Sequence, residues 1–506
     1  MSLHLVSLKK NIIAGYASQI YVTLTAIITL PLYIQYMGAE AYGLVGFFAM
    51  LQASFSLLDL GLTPTIARET ARFRAGSHDV MSYRRLFRAL NLIFLLVATI
   101  GGGALFVTSE AISQHWLNVQ KLALSEVLFA LQVMAISVAL RWMTGLYRGV
   151  VSGSERLVWL AGFNAVIATL RFLVVFPVLW HFGATPTVFF TYQLLVAVVE
   201  YAGLRYKSIT LLPVLSASQQ AELGWSFKPV KSILKFSLSI ALTSGIWVFV
   251  TQTDKFLMSK ILTLEEYGYF TLAVLVSSGV MMISSPISSA IMPRLVKLDA
   301  EQKNEEFIET YRNSTQIIVI ISGTLSVVMA FFSELILYVW TGDAYIAKVT
   351  APVMALYAAG YGILVVGALP YYLQYAKGNL KLHIIGSMLY VSILIPVLFV
   401  ATNKYGMLGA GYSWLFINFI YFFTWTYYVH HVYIKNKHLK WLFVDIFLII
   451  VPAFFVAVFL KNMGFASKDR IDGFVYMVFV TIVVLFVSML FSRFIQVGFF
   501  KIIKHD

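Results

Sequence analysis

Apolar residues stand in successive runs of roughly 20, each long enough for a helix to cross the ~30 Å hydrocarbon layer of a bilayer. The runs fall at about 11–34, 42–62, 89–108, 123–147, 158–180 and 187–204, then at about 233–262, 266–291, 316–339, 349–373, 384–402 and 409–430, and last at about 443–460 and 473–491. No water reaches a bare N–H or C=O inside a bilayer, so such runs must be helices or strands of a closed barrel. Barrel strands alternate apolar and polar residues, and these runs do not. The pattern predicts an all-α polytopic membrane protein of about 14 transmembrane helices. Of the 506 residues, 60% are hydrophobic and 12% charged. At roughly 20 residues per helix the spans consume about 280 residues, which leaves no room for a soluble enzyme, a nucleic-acid-binding domain or a large extramembrane catalytic module. Lys9, Lys10 and the later Ala39-Glu40-Ala41 resemble parts of a signal peptide. The run between them is longer than a secretory apolar region and continues into the next, so it reads as an uncleaved first helix.

Most of the 37 Lys and Arg fall in loops on the side of both chain ends. On the opposite side stand Lys121, Lys255, Lys260, Lys348, Lys404, Lys461, Lys468 and Arg470, while Arg141 and Arg171 lie inside runs. Because Lys and Arg gather in cytoplasmic loops, this asymmetry places both termini in the cytoplasm. It also accounts for the net charge of +14 without a nucleic-acid partner. The most basic inner loop, 63–88, carries Arg68, Arg72, Arg74, Arg84, Arg85 and Arg88 and reads first as a surface for anionic membrane lipids. Cysteine is absent, which excludes disulfides, thiol chemistry and Cys-ligated metal.

Glu40-Ala-Tyr42-Gly43 and Glu265-Glu-Tyr267-Gly268 are each flanked by apolar runs, and at the same offset Lys10 meets Lys235 and Arg72 meets Lys297. This repeat predicts two six-helix lobes in parallel orientation, related by a pseudo-twofold axis along the membrane normal around a central cleft. The first lobe spans 1–205 and the second 233–434, joined by a cytoplasmic linker, 206–232, with Pro213, Gly224 and Pro229 among polar residues. A last pair of helices, 13 and 14, and a cytoplasmic tail fill 435–506. Such a plan is that of a transporter.

No enzyme motif stands out, and there is no Walker A sequence; no catalytic residue or metal site is expected. Gly406-Met-Leu-Gly409-Ala-Gly411 suits a tight external turn, and Gly145, Gly149 and Gly153 at four-residue spacing suit close helix packing. His430, His431 and His438 lie among lysines and read as a solvated loop. The ionisable residues inside the runs are more informative, because each is costly unless it faces a partner or a wet cavity. They are Asp59, Arg141, Arg171, Glu200, Asp254 and Lys255, with Arg148 two turns beyond Arg141 on the same face. One reading makes them interhelical ion pairs, Arg171 with Glu200 for example. The other makes Arg141, Arg148, Arg171 and Lys255 ligands for a phosphate-bearing substrate, since guanidinium groups bind phosphate through a planar two-donor fork. Asp59, Glu200 and Asp254 would then take the coupling ion.

Lys10-Asn-Ile-Ile-Ala-Gly15, Pro31-Leu-Tyr-Ile, Met37-Gly-Ala-Glu-Ala-Tyr-Gly43, Leu57-Leu-Asp-Leu-Gly-Leu62 and Ala67-Arg-Glu-Thr-Ala-Arg72 resemble bacterial polysaccharide-export proteins. Gln252-Thr-Asp-Lys-Phe256 and Glu266-Tyr-Gly-Tyr-Phe270 extend the likeness into the second half. The chain resembles the O-antigen (Wzx-type) flippases of the multidrug/oligosaccharidyl-lipid/polysaccharide exporter superfamily. That resemblance implies a bacterial inner (cytoplasmic) membrane protein that is not an enzyme. It implies movement of an undecaprenyl-diphosphate-linked oligosaccharide from the cytoplasmic to the periplasmic leaflet by alternating access. An H⁺ or Na⁺ gradient would stand in place of any cofactor, and other O-antigen assembly proteins would be partners. The related lipid II flippases place basic residues on the first and eighth helices; here the cores of those helices are uncharged, so their ligands do not carry over. An interior-negative potential of ~100 mV favours exit of a diphosphate by about 2.3 kcal/mol per charge. A multidrug/cation antiporter of the same superfamily is the alternative reading, and a membrane-embedded glycan polymerase or ligase a more distant one. Arg171 near the midplane opposes a cationic substrate, and the short external loops oppose the enzyme.

The charge asymmetry is testable because single cysteines can be introduced without background. In intact cells an impermeant maleimide should label Gln114→Cys, and Ser218→Cys only after permeabilisation. Labelling of Ser218→Cys in intact cells would overturn the topology.

Overall fold

The computed structural model describes residues 2–77, 79–464 and 469–493. Lys468 and the tail after Arg493 lie outside the described residues. The described chain is helical from end to end apart from turns and one isolated pairing of Asn118 with Thr263, as the apolar runs predict. Among the described residues, 12 helical segments are long and apolar enough to cross a membrane. One of them, Lys381–Tyr433, contains both runs 384–402 and 409–430 and reverses at Gly406 (φ 56°, ψ −135°), where a side chain is disfavoured. Gly409 then abuts the carbonyl of Ala401, so the glycine-rich stretch is the tight turn expected of it. The 233–262 run lies within the 34-residue helix Lys228–Ile261, which is outside that set of 12.

Contacts divide the chain into Met1–Gly268 and Tyr269–Asp506. Within the first unit, Leu124–Gly153 lies against Pro186–Leu211, Val80–Ala111 and Leu62–Arg74. Its glycine spacing explains the last contact: a Cβ at Gly145 would stand 2.6 Å from Thr63 Oγ1, one at Gly149 2.8 Å from the Thr63 carbonyl, and one at Gly153 on the Ala67 carbonyl. The stretch 206–232 holds the end of Pro186–Leu211 and the short helix Ala217–Ala221, which Ser216 and Gln219 cap reciprocally. It is fastened to the start of Val80–Ala111, where Arg85 donates to the Glu222 carbonyl (3.0 Å) and Arg88 lies 4.0 Å from the Trp225 ring centre.

The repeated glutamate-tyrosine-glycine motif has a structural role in the first unit. A Cβ on Gly43 would occupy the Leu264 carbonyl oxygen, and one on Gly268 would stand 2.8 Å from the Ala39 carbonyl, so the two motifs cross at backbone contact. Their glutamates both hold the loop that follows Trp116. Glu40 accepts the N–H groups of Gln120, Lys121 and Leu122, and Glu265 pairs with the Lys121 ammonium. Asn118 donates to the carbonyls of Lys260 and Leu262, satisfying the open C-terminal end of the preceding helix.

Within the second unit a buried polar network ties Asn304–Ile318 to the segment Trp441–Phe447. Arg312 donates to both Asp445 oxygens (2.5 and 3.0 Å), and Gln316 donates to Asp445 at 2.7 Å. The apolar pattern marks only one member of this pair: Asp445 stands inside the run 443–460, whereas Arg312 stands among polar residues just ahead of the ninth run. His430 and His438 depart from the solvated loop that the lysines around them suggest. They are buried, not solvated: the chain turns back after Tyr433, and their Nδ1 atoms lie 2.9 Å apart, with Tyr311 Oη 2.8 Å from His430 Nε2.

The Gly43 crossing gives a sharp expectation. Gly43→Ala should lower the stability of the purified protein by about 1–3 kcal/mol, read as a fall in thermal midpoint. Gly15→Ala, with open space around it, should leave the midpoint unchanged or slightly higher. Equal midpoints for the two variants would show that the motifs do not meet there.

Candidate functional site

Two irregularities in helices of the first unit place its charges. Ala39–Phe55 ends in a 3₁₀ turn, and the backbone then passes through left-handed conformations at Leu60 (φ 46°) and Gly61 (φ 70°) before Leu62–Arg74 begins. A non-glycine residue seldom adopts that conformation. Asp59 stands at this break and accepts from the Thr63 N–H (3.2 Å) and hydroxyl (2.5 Å), capping the new helix. The second irregularity is a π-bulge at Thr169–Leu173 centred on Arg171. Tyr33 Oη (3.3 Å) and Gln193 Nε2 (3.0 Å) donate to the Arg171 carbonyl, and Tyr192 Oη donates to that of Leu170 (2.8 Å).

Glu200 lies between two guanidinium groups, accepting from Arg148 Nη2 at 3.1 Å and Arg171 Nη2 at 2.8 Å. Arg148 also donates to Asn164 (2.8 Å). Arg141 is treated differently. It donates to the side-chain oxygens of Gln52 and Gln193, both at 3.0 Å, and lies 5.0 Å from the Phe48 ring centre. Its Nε is buried without a partner, and among the described residues no carboxylate pairs with it. Gln193 thus bridges Arg141 to the backbone of the π-bulge.

A cavity of about 750 Å³ is lined by Gln52, Asp59, Thr144, Arg141, Arg148 and Trp247 among others. A second, of about 360 Å³, is lined by Ser18, Gln19, Arg148, Asn164, Arg171 and Glu200 among others. Arg148 lines both. Of the residues expected from the sequence, the structure therefore brings Asp59, Arg141 and Arg148 to one cavity and Arg148, Arg171 and Glu200 to the other. Asp254 and Lys255 line neither; Lys255 Nζ lies on the Thr251 carbonyl and 3.4 Å from Asp254. Gln52, Asn164, Gln193 and Trp247 were not singled out. The three amides interrupt apolar runs, which was their signal; Trp247 had none, since tryptophan is common at membrane interfaces. No group of three His, Asp or Glu suited to a metal occurs among the described residues.

The family model described as polysaccharide biosynthesis protein matches residues 8–299, more than half of the chain and all of this site. The chain belongs to the polysaccharide biosynthesis protein family. As a member of it, the chain is 21% identical over 408 residues to the Shigella flexneri protein named "Putative O-antigen transporter", covering 79% of this chain and 91% of that one. Its fold is similar to that of the lipid II flippase MurJ in an inward closed conformation, with a TM-score of 0.71 and 15% identity over 95% of this chain and 98% of that one. It is also similar to an inward-facing multidrug resistance MATE family transporter of the MOP superfamily, with a TM-score of 0.66 and 14% identity over 81% and 95%. The relative and both solved structures are a transporter, a flippase and a transporter by name, and not enzymes, as the resemblance in sequence implied.

The Glu200 clamp predicts strong coupling between its members. Arg171→Ala and Glu200→Ala should each lower the thermal midpoint. The double variant should lose less than the sum, by about 0.5–3 kcal/mol, because Arg171 no longer stays behind without Glu200, while Arg148 keeps Asn164 in either Glu200 variant. Strict additivity would show that Arg171 is held by something other than Glu200.

Proposed function

We propose that this protein is a flippase that moves an undecaprenyl-diphosphate-linked oligosaccharide, an O-antigen or related repeat unit, from the cytoplasmic to the periplasmic leaflet by alternating access, coupled to an H⁺ or Na⁺ gradient. The observation that carries this reading is Arg141, a guanidinium whose hydrogen-bond partners among the described residues are two amides, at the wall of a cavity of about 750 Å³ within a bilayer-spanning unit. A buried cation with neutral partners is costly, and a diphosphate removes that cost by offering two negative charges to its fork. Arg148 lines the same cavity and can contribute a second fork once a stronger anion competes with Glu200. The Shigella flexneri relative, named for O-antigen transport, supports the same substrate class. A cationic drug would meet repulsion at this wall.

Three arginines and two carboxylates line the two cavities, so the site has an excess of one positive charge before substrate arrives. Both oxygens of Glu200 are already taken by guanidinium groups, which leaves it poorly placed to receive a coupling ion. Asp59, which among the described residues accepts hydrogen bonds from Thr63 and lines the larger cavity, is the carboxylate better suited to take the coupling ion.

The test is surface O-antigen in a strain whose own flippase is deleted, normalised to transporter in the membrane. Arg141→Ala should abolish export, and Arg141→Lys should recover little, because lysine lacks the two-donor fork. Asp59→Asn should slow export and remove its dependence on an imposed ion gradient. Normal export by Arg141→Ala would refute the anion site, and gradient-dependent export by Asp59→Asn would refute coupling there.

A further inference from the structure

The cavity is larger than its charges require. Its volume of about 750 Å³ is within the range of sites that take drug-sized ligands, larger than a diphosphate and a coupling ion. What else it accommodates is indicated by its aromatic wall. Trp142 is only 9% exposed and is stacked on Phe94 with ring centres 4.5 Å apart, and Phe55 is packed into the core of the unit. Trp247 is 42% exposed, on the helix Lys228–Ile261, and among the described residues no ring or cation is paired with it. An indole of this kind on a cavity that also holds Arg141, Gln52, Asp59 and Thr144 offers two things at once. Its negatively polarised face attracts weakly positive C–H groups. The neighbouring amide, hydroxyl and carboxylate supply hydrogen bonds to an equatorial ring of hydroxyls. A pyranose presents both surfaces, whereas a prenyl chain presents only the first.

We infer that Trp247 is a stacking platform for the sugar attached directly to the diphosphate, which makes it a specificity-determining residue of the Arg141 cavity. The inference rests on the flippase reading and deepens it: the site recognises a glycosyl diphosphate as a unit, not the diphosphate of any lipid. A carrier with this property engages the loaded lipid in preference to the sugar-free diphosphate left when the glycan is removed. The discrimination is made one ring from the charge, so it is independent of how the distal sugars vary.

The experiment uses full-length protein in nanodiscs and two probes, farnesyl diphosphate and farnesyl diphosphate carrying N-acetylglucosamine. Native protein should bind the glycosylated probe about threefold to tenfold more tightly, the range that an aromatic contact supplies. Trp247→Leu should bring the two affinities together by weakening only the glycosylated probe, and Trp247→Phe should retain part of the difference. An unchanged thermal midpoint identifies variants that fold. Equal affinities in the native protein, or equal weakening of both probes by Trp247→Leu, would overturn the platform while leaving the anion site standing. If native protein bound neither probe, the flippase reading and the platform would fall together.

Discussion

Glu200 is the charge around which the first unit is arranged. Inside a bilayer a guanidinium group needs a carboxylate, a set of oriented dipoles or a wet cavity. Glu200 satisfies two at once, Arg148 and Arg171, each on its own oxygen. Both guanidinium groups are therefore fixed in position, and Arg141 is left to the amides of Gln52 and Gln193. The anion site proposed at Arg141 follows from how this one carboxylate is shared.

Helix irregularity and charge coincide for a common reason. A π-bulge or a left-handed break exposes backbone groups that hydrocarbon cannot satisfy, so such features persist only where side chains replace the lost bonds. At Arg171 the replacements are Tyr33, Tyr192 and Gln193, and at Asp59 the break is stabilised by the carboxylate itself. Discontinuous helices that line a cavity are the usual way in which transporters present polar groups at depth. Here the two discontinuities set the walls of adjoining cavities that share Arg148.

The second unit resolves the same electrostatic problem without leaving a surplus. Arg312 and Asp445 are matched fork to carboxylate, with Gln316 completing the set, and both are nearly inaccessible. Such a pair specifies how Trp441–Phe447 seats against Asn304–Ile318 and offers nothing to a ligand. The two units therefore settle their buried charges by different chemistry.

The sequence by itself determined the membrane-spanning helices, because hydrocarbon thickness imposes run length on any spanning chain. It also determined the glycine contacts, since a missing Cβ at four-residue spacing is visible in one dimension, and it identified Asp59, Arg141, Arg171 and Glu200 as charges in the wrong solvent. It offered both a ligand role and an ion pair for Arg171 and had no means of choosing. That choice depends on which helix faces meet, and so do the burial of His430 and His438, the matching of Arg312 with Asp445, and the amides around Arg141. A π-bulge rotates everything beyond it by a fraction of a turn and decides which side chains converge. Only the tertiary structure decided that Glu200 holds Arg148 and Arg171 and that Arg141 has no carboxylate paired with it among the described residues, because a charge's partner is set by three-dimensional distance and not by its place in the chain.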